Sequence, residues 1–257
     1  MIIESPQNKI FKEAIFLKEK KHRQKSGLFL VEGQKQIKEI SGEWNIKHFF
    51  VSRSFAEKKI HRESKKTFVL SDQLFNKLSS TETPQGIIAS VEKKQYETET
   101  VLKENGFFAV LENIQDPGNL GTIIRSADAF GAKAVFVSKG SVDIYSDKTI
   151  RSAMGSIFHI PVIDEADIEN VLEMMKKQKI KIFAASLDSE TYLEDTVFPK
   201  RSAIIIGNES KGLNPQTQKT ADKLIKIGMP GKAESLNAAI AASIIMYQIS
   251  LESVGRL

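Results

Sequence analysis

A polar segment between an apolar run and an amphipathic run contains the first residues that could do chemistry. Residues 107–111 are all apolar, and after a break at Pro117 apolar residues recur at helical spacing over 119–130. Asn119 stands where a helix cap is expected, and Arg125 falls on the polar side of the same helix. This pattern is a strand, a turn and a helix whose first turn is polar and whose exposed side carries an arginine. It predicts a site for an anion or a nucleotide.

A second segment places a carboxylate beyond another apolar run. Residues 202–206 predict a buried strand, and the loop behind it has glycines at both ends, Gly207 and Gly212, with Glu209 between them. Ligands of open parallel sheets bind beyond the carboxyl ends of the strands, which is where this loop is expected. Taken alone, Glu209 is better interpreted as a solvated loop acid.

A third segment leads into a helix that is rich in alanine and isoleucine. We expect Ser235 to cap this helix over residues 235–251 and Asn237 to lie in its first turn, where unpaired backbone donors gather. The apolar residues cover several faces, which predicts burial in the fold or against a partner subunit. Taken alone, the segment is a capped core helix.

These three segments belong to a region of alternating strands and helices. Its strand runs are apolar without alternation, which is typical of a parallel sheet covered on both faces, so we expect an open α/β domain over 105–257. Strands are predicted at 107–112, 134–138, 160–163, 181–185, 202–206 and 224–227, and helices at 119–130, 148–156, 165–178, 214–221 and 235–251.

A smaller α/β domain is predicted over residues 1–95, followed by a polar linker over 96–104. Its strands are expected at 28–31, 49–51, 67–70 and 86–91, and its helices at 9–23, 33–40 and 72–78.

Charge differs between the two parts. Residues 1–95 hold 19 Lys and Arg against 11 Asp and Glu, a balance of +8, whereas residues 96–257 hold 18 against 21, a balance of −3. The basic part therefore predicts contact with a polyanion, against the plainer reading of a solvated lysine-rich surface. The residues expected to touch nucleic-acid phosphates are Lys18, Lys20, Lys21, Arg23, Lys25 and Arg151.

Composition excludes several other classes of protein. The chain has no cysteine and four scattered histidines, so we expect no disulfide and no metal site. No run of 18 apolar residues indicates a membrane span, and the N-terminus lacks the layout of a signal peptide. A cytoplasmic protein is expected.

Together the three segments resemble the signature motifs of the SpoU (TrmH-like) family of RNA ribose methyltransferases, part of the SPOUT superfamily. The motifs are residues 113–131, the run Gly207-Asn208-Glu209-Ser210-Lys211-Gly212, and residues 229–237, in the family's order. The N-terminal runs 29–33 and 83–86 resemble that family's small RNA-binding domain.

The resemblance implies an S-adenosylmethionine-dependent methyltransferase with a deep trefoil knot in its C-terminal domain, a rare exception to unknotted topology. It implies a homodimer that packs through the last helix. It places the cofactor against Gly207, Ile227, Met229, Leu236 and Asn237.

The implied reaction methylates a ribose 2′-hydroxyl of RNA, with ribosomal RNA as the first choice. The catalytic set carried over is Arg125, Asn119, Glu209, Ser235 and Asn237. Because arginine keeps its charge, Arg125 serves better as a contact to phosphate and forming alkoxide than as a base. A tRNA substrate, base methylation, an antibiotic-resistance role and a non-catalytic RNA-binding protein of the same fold stay open. A dinucleotide-binding oxidoreductase is disfavoured because the G-x-G-x-x-G pattern is missing.

Overall fold

The computed structural model describes residues 2–58 and 66–253, which form two compact units. Within the described residues, the N-terminal unit takes the chain up to residue 94 together with residues 145–158. The C-terminal unit takes residues 95–144 and 159–253.

The N-terminal unit contains a mixed five-stranded sheet. Its strands are β1 (Ile2–Ile3), β2 (Leu28–Glu32), β3 (Ile46–Ser52), β4 (Thr67–Leu70) and β5 (Ile87–Glu92), in the order β1-β4-β3-β5-β2. Strands β1, β4 and β3 are parallel, and β5 runs antiparallel to both β3 and β2. The two-residue strand β1 was not predicted, because so short a segment shows no periodicity.

The helices that the structure describes before residue 94 are α1 (Lys9–Phe16), α2 (Lys20–Ser26), α3 (Gln34–Lys38), α4 (Arg53–Lys58) and α5 (Asp72–Leu78). The predicted single helix over 9–23 is wrong, since the chain turns a corner between α1 and α2. The side chain of Arg23 explains the corner: its Nη1 donates to the carbonyls of Leu17 and Lys18, each at 2.7 Å. These donors satisfy carbonyls at the end of α1 that a continuing helix would have used itself.

The C-terminal unit is built on a six-stranded parallel sheet. Its strands are β6 (Phe107–Leu111), β7 (Ala134–Ser138), β8 (Val162–Ala166), β9 (Lys181–Ala185), β10 (Ser202–Ile206) and β11 (Lys223–Ile225), in the order β11-β9-β10-β6-β7-β8. Every pairing is parallel. The residues of β6, β7 and β10 are all buried, as expected for strands covered on both faces.

The remaining helices are α6 (Thr98–Val101), α7 (Pro117–Ala129), α8 (Asp147–Ala153), α9 (Ile168–Lys177), α10 (Pro215–Thr220) and α11 (Ala238–Ser253). Helix α6 lies inside the segment that the sequence assigned to a linker, and its Val101 and Leu102 enter the core of the C-terminal unit. None of the helices in the described part of the chain is both long and apolar enough to cross a bilayer.

Helix α8 and the single helical turn after it, Ser156–Phe158, pack within the N-terminal unit. Tyr145 lies 4.6 Å from Phe29 between ring centroids, and Phe158 lies 5.1 Å from Trp44. The Trp44 indole also donates to the carbonyl of Phe158 at 3.3 Å. The domain boundaries predicted from the sequence assigned residues 145–158 to the C-terminal domain. In the structure these residues pack against the N-terminal unit and complete its core.

The strand order locates the point where a ligand can enter the C-terminal unit. From β6 the chain builds β7 and β8 on one side, then crosses over and builds β9, β10 and β11 on the other. The direction of winding reverses between the neighbours β6 and β10. In open parallel sheets this reversal opens a crevice at the carboxyl ends of the two strands. The loops after β6 and β10 carry the first and second motifs of the sequence.

Candidate functional site

The loop after β10 is a tight turn. Asn208 and Gly212 exchange backbone hydrogen bonds, each 3.0 Å long, and Gly212 has φ +68°, a left-handed value that favours glycine. Gly207 has a different reason to be glycine: a Cβ atom there would stand 2.5 Å from the Gly212 carbonyl carbon and 2.7 Å from the Leu213 nitrogen. Two stretches of main chain therefore touch at Gly207.

The carboxylate of Glu209 projects from this turn and binds the loop after β6. It accepts a hydrogen bond of 3.0 Å from the Asn119 side chain, and bonds of 3.3 Å each from the backbone N–H groups of Gln115 and Asp116. Burial alone would raise the pKa of Glu209, but these hydrogen bonds outweigh it and hold the pKa below the usual range. Glu209 is therefore an ionised carboxylate that clamps two loops together.

Asn119 joins the same clamp to the third segment. Its Oδ1 accepts a hydrogen bond of 2.9 Å from the Asn237 side chain, while its Nδ2 donates to the carboxylate of Glu209. The three polar residues therefore form one continuous chain of hydrogen bonds, Glu209 to Asn119 to Asn237. The three motif segments, which are far apart in sequence, meet at this chain.

Two predicted helix caps are wrong by a few residues. Helix α7 is capped by Asp116, whose side chain accepts from the backbone N–H of Asn119 at 2.8 Å. Helix α11 begins at Ala238, and the cap is Asn237, whose Oδ1 accepts from the N–H groups of Ala239 and Ile240 at 2.9 and 3.3 Å. Aspartate and asparagine cap helices as well as serine does, so composition alone could not choose among neighbouring candidates.

Asn208 was not singled out from the sequence, yet it organises two of the loops. Its Nδ2 donates to the carbonyl of Asn113 at 2.8 Å, and its Oδ1 accepts from the N–H groups of Ser210 and Lys211 at 3.0 and 2.9 Å. Asn113 itself has φ +58°, a conformation that asparagine tolerates better than most residues. An amide side chain directly after a buried strand was the available signal.

A cavity of about 400 Å³ opens beside the turn, within the usual range for small-molecule sites. Among the predicted cofactor residues, Gly207, Ile227, Met229 and Leu236 line it, but Asn237 does not. Ser235 and Glu209 also line the wall, so apolar and polar surfaces face one space. Ala185, the last residue of β9, and the loop of residues 186–188 after it complete the wall. The sequence analysis missed this loop because it has neither a glycine nor a motif residue.

Arg125 lies on α7 six residues after Asn119, about 9 Å further along the helix axis. Its side chain is exposed, and it makes no hydrogen bond or ion pair with any residue that the structure describes. The neighbouring Ser126 joins α7 to α11 through a hydrogen bond of 2.7 Å to Ser243. An uncompensated guanidinium on a firmly held helix is available to an anion.

The predicted basic set divides into exposed and internal members. Lys20, Lys21 and Lys25 are exposed on α2. By contrast, Arg23 is only 4% exposed and holds the corner after α1. The Nζ of Lys18 donates to the carbonyls of Lys77 and Ser79 at 2.9 and 2.8 Å.

Arg151 lies on α8, half-buried beside Glu32, Ser80 and Asp147. It belongs to the N-terminal unit, as do the other basic residues, whereas Arg125, Asn119, Glu209, Ser235 and Asn237 belong to the C-terminal unit. Within residues 2–58 and 66–253 no group of three or more histidine, aspartate or glutamate side chains is arranged to hold a metal ion.

Comparison with family models gives two matches. Residues 106–247 match the model described as the SpoU rRNA Methylase family, and residues 8–89 match the MRM3-like substrate binding domain.

Individual relatives are similar over nearly the whole chain. The 23S rRNA (guanosine(2553)-2′-O)-methyltransferase RlmP of Bacillus subtilis is 32% identical over 96% of this chain and 98% of its own. An AdoMet-bound rRNA methyltransferase from Sinorhizobium meliloti superimposes with a TM-score of 0.86, at 27% identity over 97% of both chains. The SpoU methyltransferase AviRb of Streptomyces viridochromogenes, solved with AdoMet, gives a TM-score of 0.88 at 25% identity over 97% and 99%.

Proposed function

This chain belongs to the SpoU rRNA methylase family, and we propose that the cavity and the loops around it methylate a ribose 2′-hydroxyl of ribosomal RNA. The chain is an RNA 2′-O-methyltransferase, and S-adenosylmethionine is its cofactor, in keeping with the names and bound AdoMet of its relatives. The observation that carries the assignment of the site is the Glu209–Asn119–Asn237 hydrogen-bond chain at the edge of the cavity.

The lining of the cavity fits this cofactor. The main chain at Gly212 leaves room for a flat group to approach, because a Cβ there would meet no atom within 4 Å, and Gly207 lets the main chain at Gly212 stay close to its own. Ile227, Met229 and Leu236 offer apolar surface, and Glu209 and Ser235 offer polar groups. The bound cofactor supplies a methyl group on a positively charged sulfur, which leaves readily as a neutral thioether.

The residues of the chain must then lower the cost of removing the ribose proton, since a neutral hydroxyl is a weak nucleophile. We assign this role to Arg125, whose exposed guanidinium can bind an RNA phosphate and stabilise the alkoxide as it forms. It stays charged throughout, so it acts by electrostatics and position, and the ribose proton is released to solvent water as the 2′-oxygen bonds to the methyl group.

Asn119, Glu209 and Asn237 act mainly as positioning residues in this proposal. The Nδ2 of Asn119 donates to Glu209 and its Oδ1 accepts from Asn237, and this Oδ1 retains one lone pair for a ribose hydroxyl. Ser235 is exposed at the cavity wall and is placed to orient the ribose. Fixed polar groups of this kind cost no reorganisation when charge develops during the reaction.

We further propose a homodimer through α11. One face of this helix packs into the C-terminal unit through residues such as Ala242, Ile245 and Ile249. The opposite face exposes four large apolar side chains at helical spacing: Ile240, Ile244, Tyr247 and Leu251. Burial of this stripe against a second copy would remove its apolar surface from water.

The knot and the division of labour between domains also belong to this proposal. A trefoil knot within residues 105–257 is supported by the TM-score of 0.88 to a SpoU methyltransferase over 97% of the chain. Residues 1–95 would bind the RNA, supported by the match of residues 8–89 to a substrate binding domain and by the charge balance of +8. A ribosomal RNA substrate would place the protein in the cytoplasm.

The test is transfer of a tritiated methyl group from S-adenosylmethionine to RNA. Ribosomal RNA from cells lacking the protein is incubated with the purified chain, digested to nucleosides and analysed by mass spectrometry, with tRNA from the same cells in parallel. A single 2′-O-methylnucleoside from ribosomal RNA is expected. Label only in tRNA, or on a base, would contradict the proposed substrate or position.

A further inference from the structure

A stacked aromatic pair, an exposed phenylalanine and a half-buried histidine, lies within a strongly basic stretch of the N-terminal unit. Phe16, the last residue of α1, and His22, on α2, stack with ring centroids 4.6 Å apart and planes inclined by 13°. Phe16 is 44% exposed, so His22 covers only part of a ring that a core would bury completely. We call these two side chains the aromatic platform.

The platform is held rigidly by the corner between α1 and α2. Buried Arg23 ties Leu17 and Lys18 to α2 through two hydrogen bonds of 2.7 Å, and Lys18 is in turn bonded to the carbonyls of Lys77 and Ser79. Phe16 directly precedes this anchored corner, and His22 directly precedes Arg23. Stacking on a preorganised ring loses little side-chain entropy when a ligand binds.

Charge around the platform indicates what binds there. Residues 9–26 contain seven Lys and Arg against two Glu, a balance of +5. Lys12 and Lys9 lie four and seven residues before Phe16 on α1, so they share its face of the helix. Lys20, Lys21 and Lys25 are exposed on α2. An exposed aromatic ring among lysines suits a nucleic acid, since the lysines attract phosphates and the ring stacks on a base.

We propose that the aromatic platform stacks on an unpaired base of the RNA substrate, while the neighbouring lysines contact its backbone. The inference rests on the proposed function, because it assumes an RNA substrate. Paired bases present only their edges, whereas loops and bulges offer whole faces that can stack on aromatic side chains. The aromatic platform therefore binds a single-stranded segment of the RNA in preference to a duplex, and it discriminates little among the four bases.

The experiment measures binding by the full-length protein with two fluorescein-labelled probes, a twelve-nucleotide oligoadenylate RNA and an abasic twelve-mer with the same number of phosphates. Phe16→Ala is expected to weaken oligoadenylate binding roughly 5- to 150-fold, the range seen when an aromatic stacking partner is removed. Binding of the abasic probe should stay unchanged. The dependence of affinity on salt should also stay unchanged, because no charge is lost.

Three further variants separate stacking from other effects. Phe16→Leu keeps an apolar side chain without a ring and should fail like Phe16→Ala, whereas Phe16→Trp should bind at least as well as the wild type. Ile2→Ala is the matched control, since Ile2 is 50% exposed in the same unit but lies on β1. S-adenosylmethionine binding by each variant verifies that the C-terminal unit is folded, and circular dichroism verifies the whole chain.

Two results would overturn the inference: oligoadenylate binding by Phe16→Ala within twofold of the wild type, or an equal loss of affinity for both probes. Full binding by Phe16→Leu would do the same, because it would assign the contact to apolar burial, as expected for a protein partner. Failure of the wild type to methylate any RNA would contradict the proposed function alone, and the comparison among Phe16 variants would stand.

Discussion

Replacement of Gly207 by alanine tests whether the tight turn after β10 forms the floor of the cofactor cavity. The added Cβ would stand 2.5 Å from the Gly212 carbonyl carbon, whereas ordinary contact begins at 3.4 Å, so the two segments must separate by about 0.9 Å. That movement would stretch the two backbone hydrogen bonds between Asn208 and Gly212 beyond useful length, since each is 3.0 Å now.

The expected cost is about 2 kcal/mol, the net contribution of two hydrogen bonds and of the same order as moderate overpacking. If the turn stays in place, the cost lowers the free energy of unfolding, and the melting temperature falls by roughly 4–8 °C. If the turn shifts, the same ~2 kcal/mol is lost from the free energy of cofactor binding, and the Kd for S-adenosylmethionine rises roughly 30-fold. The loss of unfolding free energy and the loss of cofactor binding free energy should add up to about 2 kcal/mol.

The assays are calorimetric titration with S-adenosylmethionine and thermal unfolding followed by circular dichroism. Gly42→Ala is the matched control, because a Cβ there meets no atom within 4 Å. A Gly207→Ala protein with wild-type cofactor affinity and wild-type melting temperature would refute the reasoning, since it would mean that the backbone contact at Gly207 is not close in solution.

Three other substitutions test the remaining parts of the site. Arg125→Ala should lower the methyl transfer rate at least 100-fold in single-turnover assays. The cofactor Kd should stay within twofold, because the guanidinium lies on the exposed surface of the helix. A normal rate of methyl transfer would show that Arg125 has no part in the mechanism. Glu209 has a lowered pKa, so its contribution to stability is present above the ordinary value of 4.5 and is lost as the pH falls through the lower folded value. Glu209→Gln should therefore be less stable than the wild type at pH 7, with the gap closing in acid, and equal urea midpoints at pH 7 would contradict the clamp. Ile244→Lys places a charge in the exposed stripe of α11 and should give monomers by light scattering, and an unchanged dimer would place the interface elsewhere.

Most strands of the C-terminal unit were predictable because they are mainly apolar runs. Strand β8 was predicted at 160–163 but spans Val162–Ala166, because Asp164 and Glu165 interrupt its apolar pattern. Strands β7, β9 and β10 match the predicted bounds, and β6 ends one residue earlier than predicted. Helix α4 (Arg53–Lys58) was missed because none of its residues is buried, so it shows no apolar periodicity. The break between α1 and α2 was missed for a different reason: the apolar spacing ends at Leu17, the polar run after it contains no residue that stops a helix, and a tertiary contact from Arg23 stabilises the corner.

The candidate site also has parts that could be predicted from the sequence and parts that could not. The resemblance of the three segments to the family's motifs predicted that Asn119, Glu209 and Asn237 would serve one site, and hydrogen bonds join their side chains. Which side chain caps which helix depends on backbone angles at single residues, so Asp116 and Asn237 could not be distinguished from their neighbours in advance. The loop of residues 186–188 joins the cavity only through the strand order, which no local pattern contains.

The placement of residues 145–158 affects how the protein is made on the ribosome. The N-terminal unit lacks Tyr145, α8 and Phe158 until 64 residues beyond Lys94 have been translated. At about 5–20 residues per second, the aromatic cluster around Phe29 and Trp44 waits roughly 3–13 seconds for its last members. During that interval, apolar surface of the first unit to emerge is open to chaperones. The first unit to be synthesised is thus completed only after the second has begun.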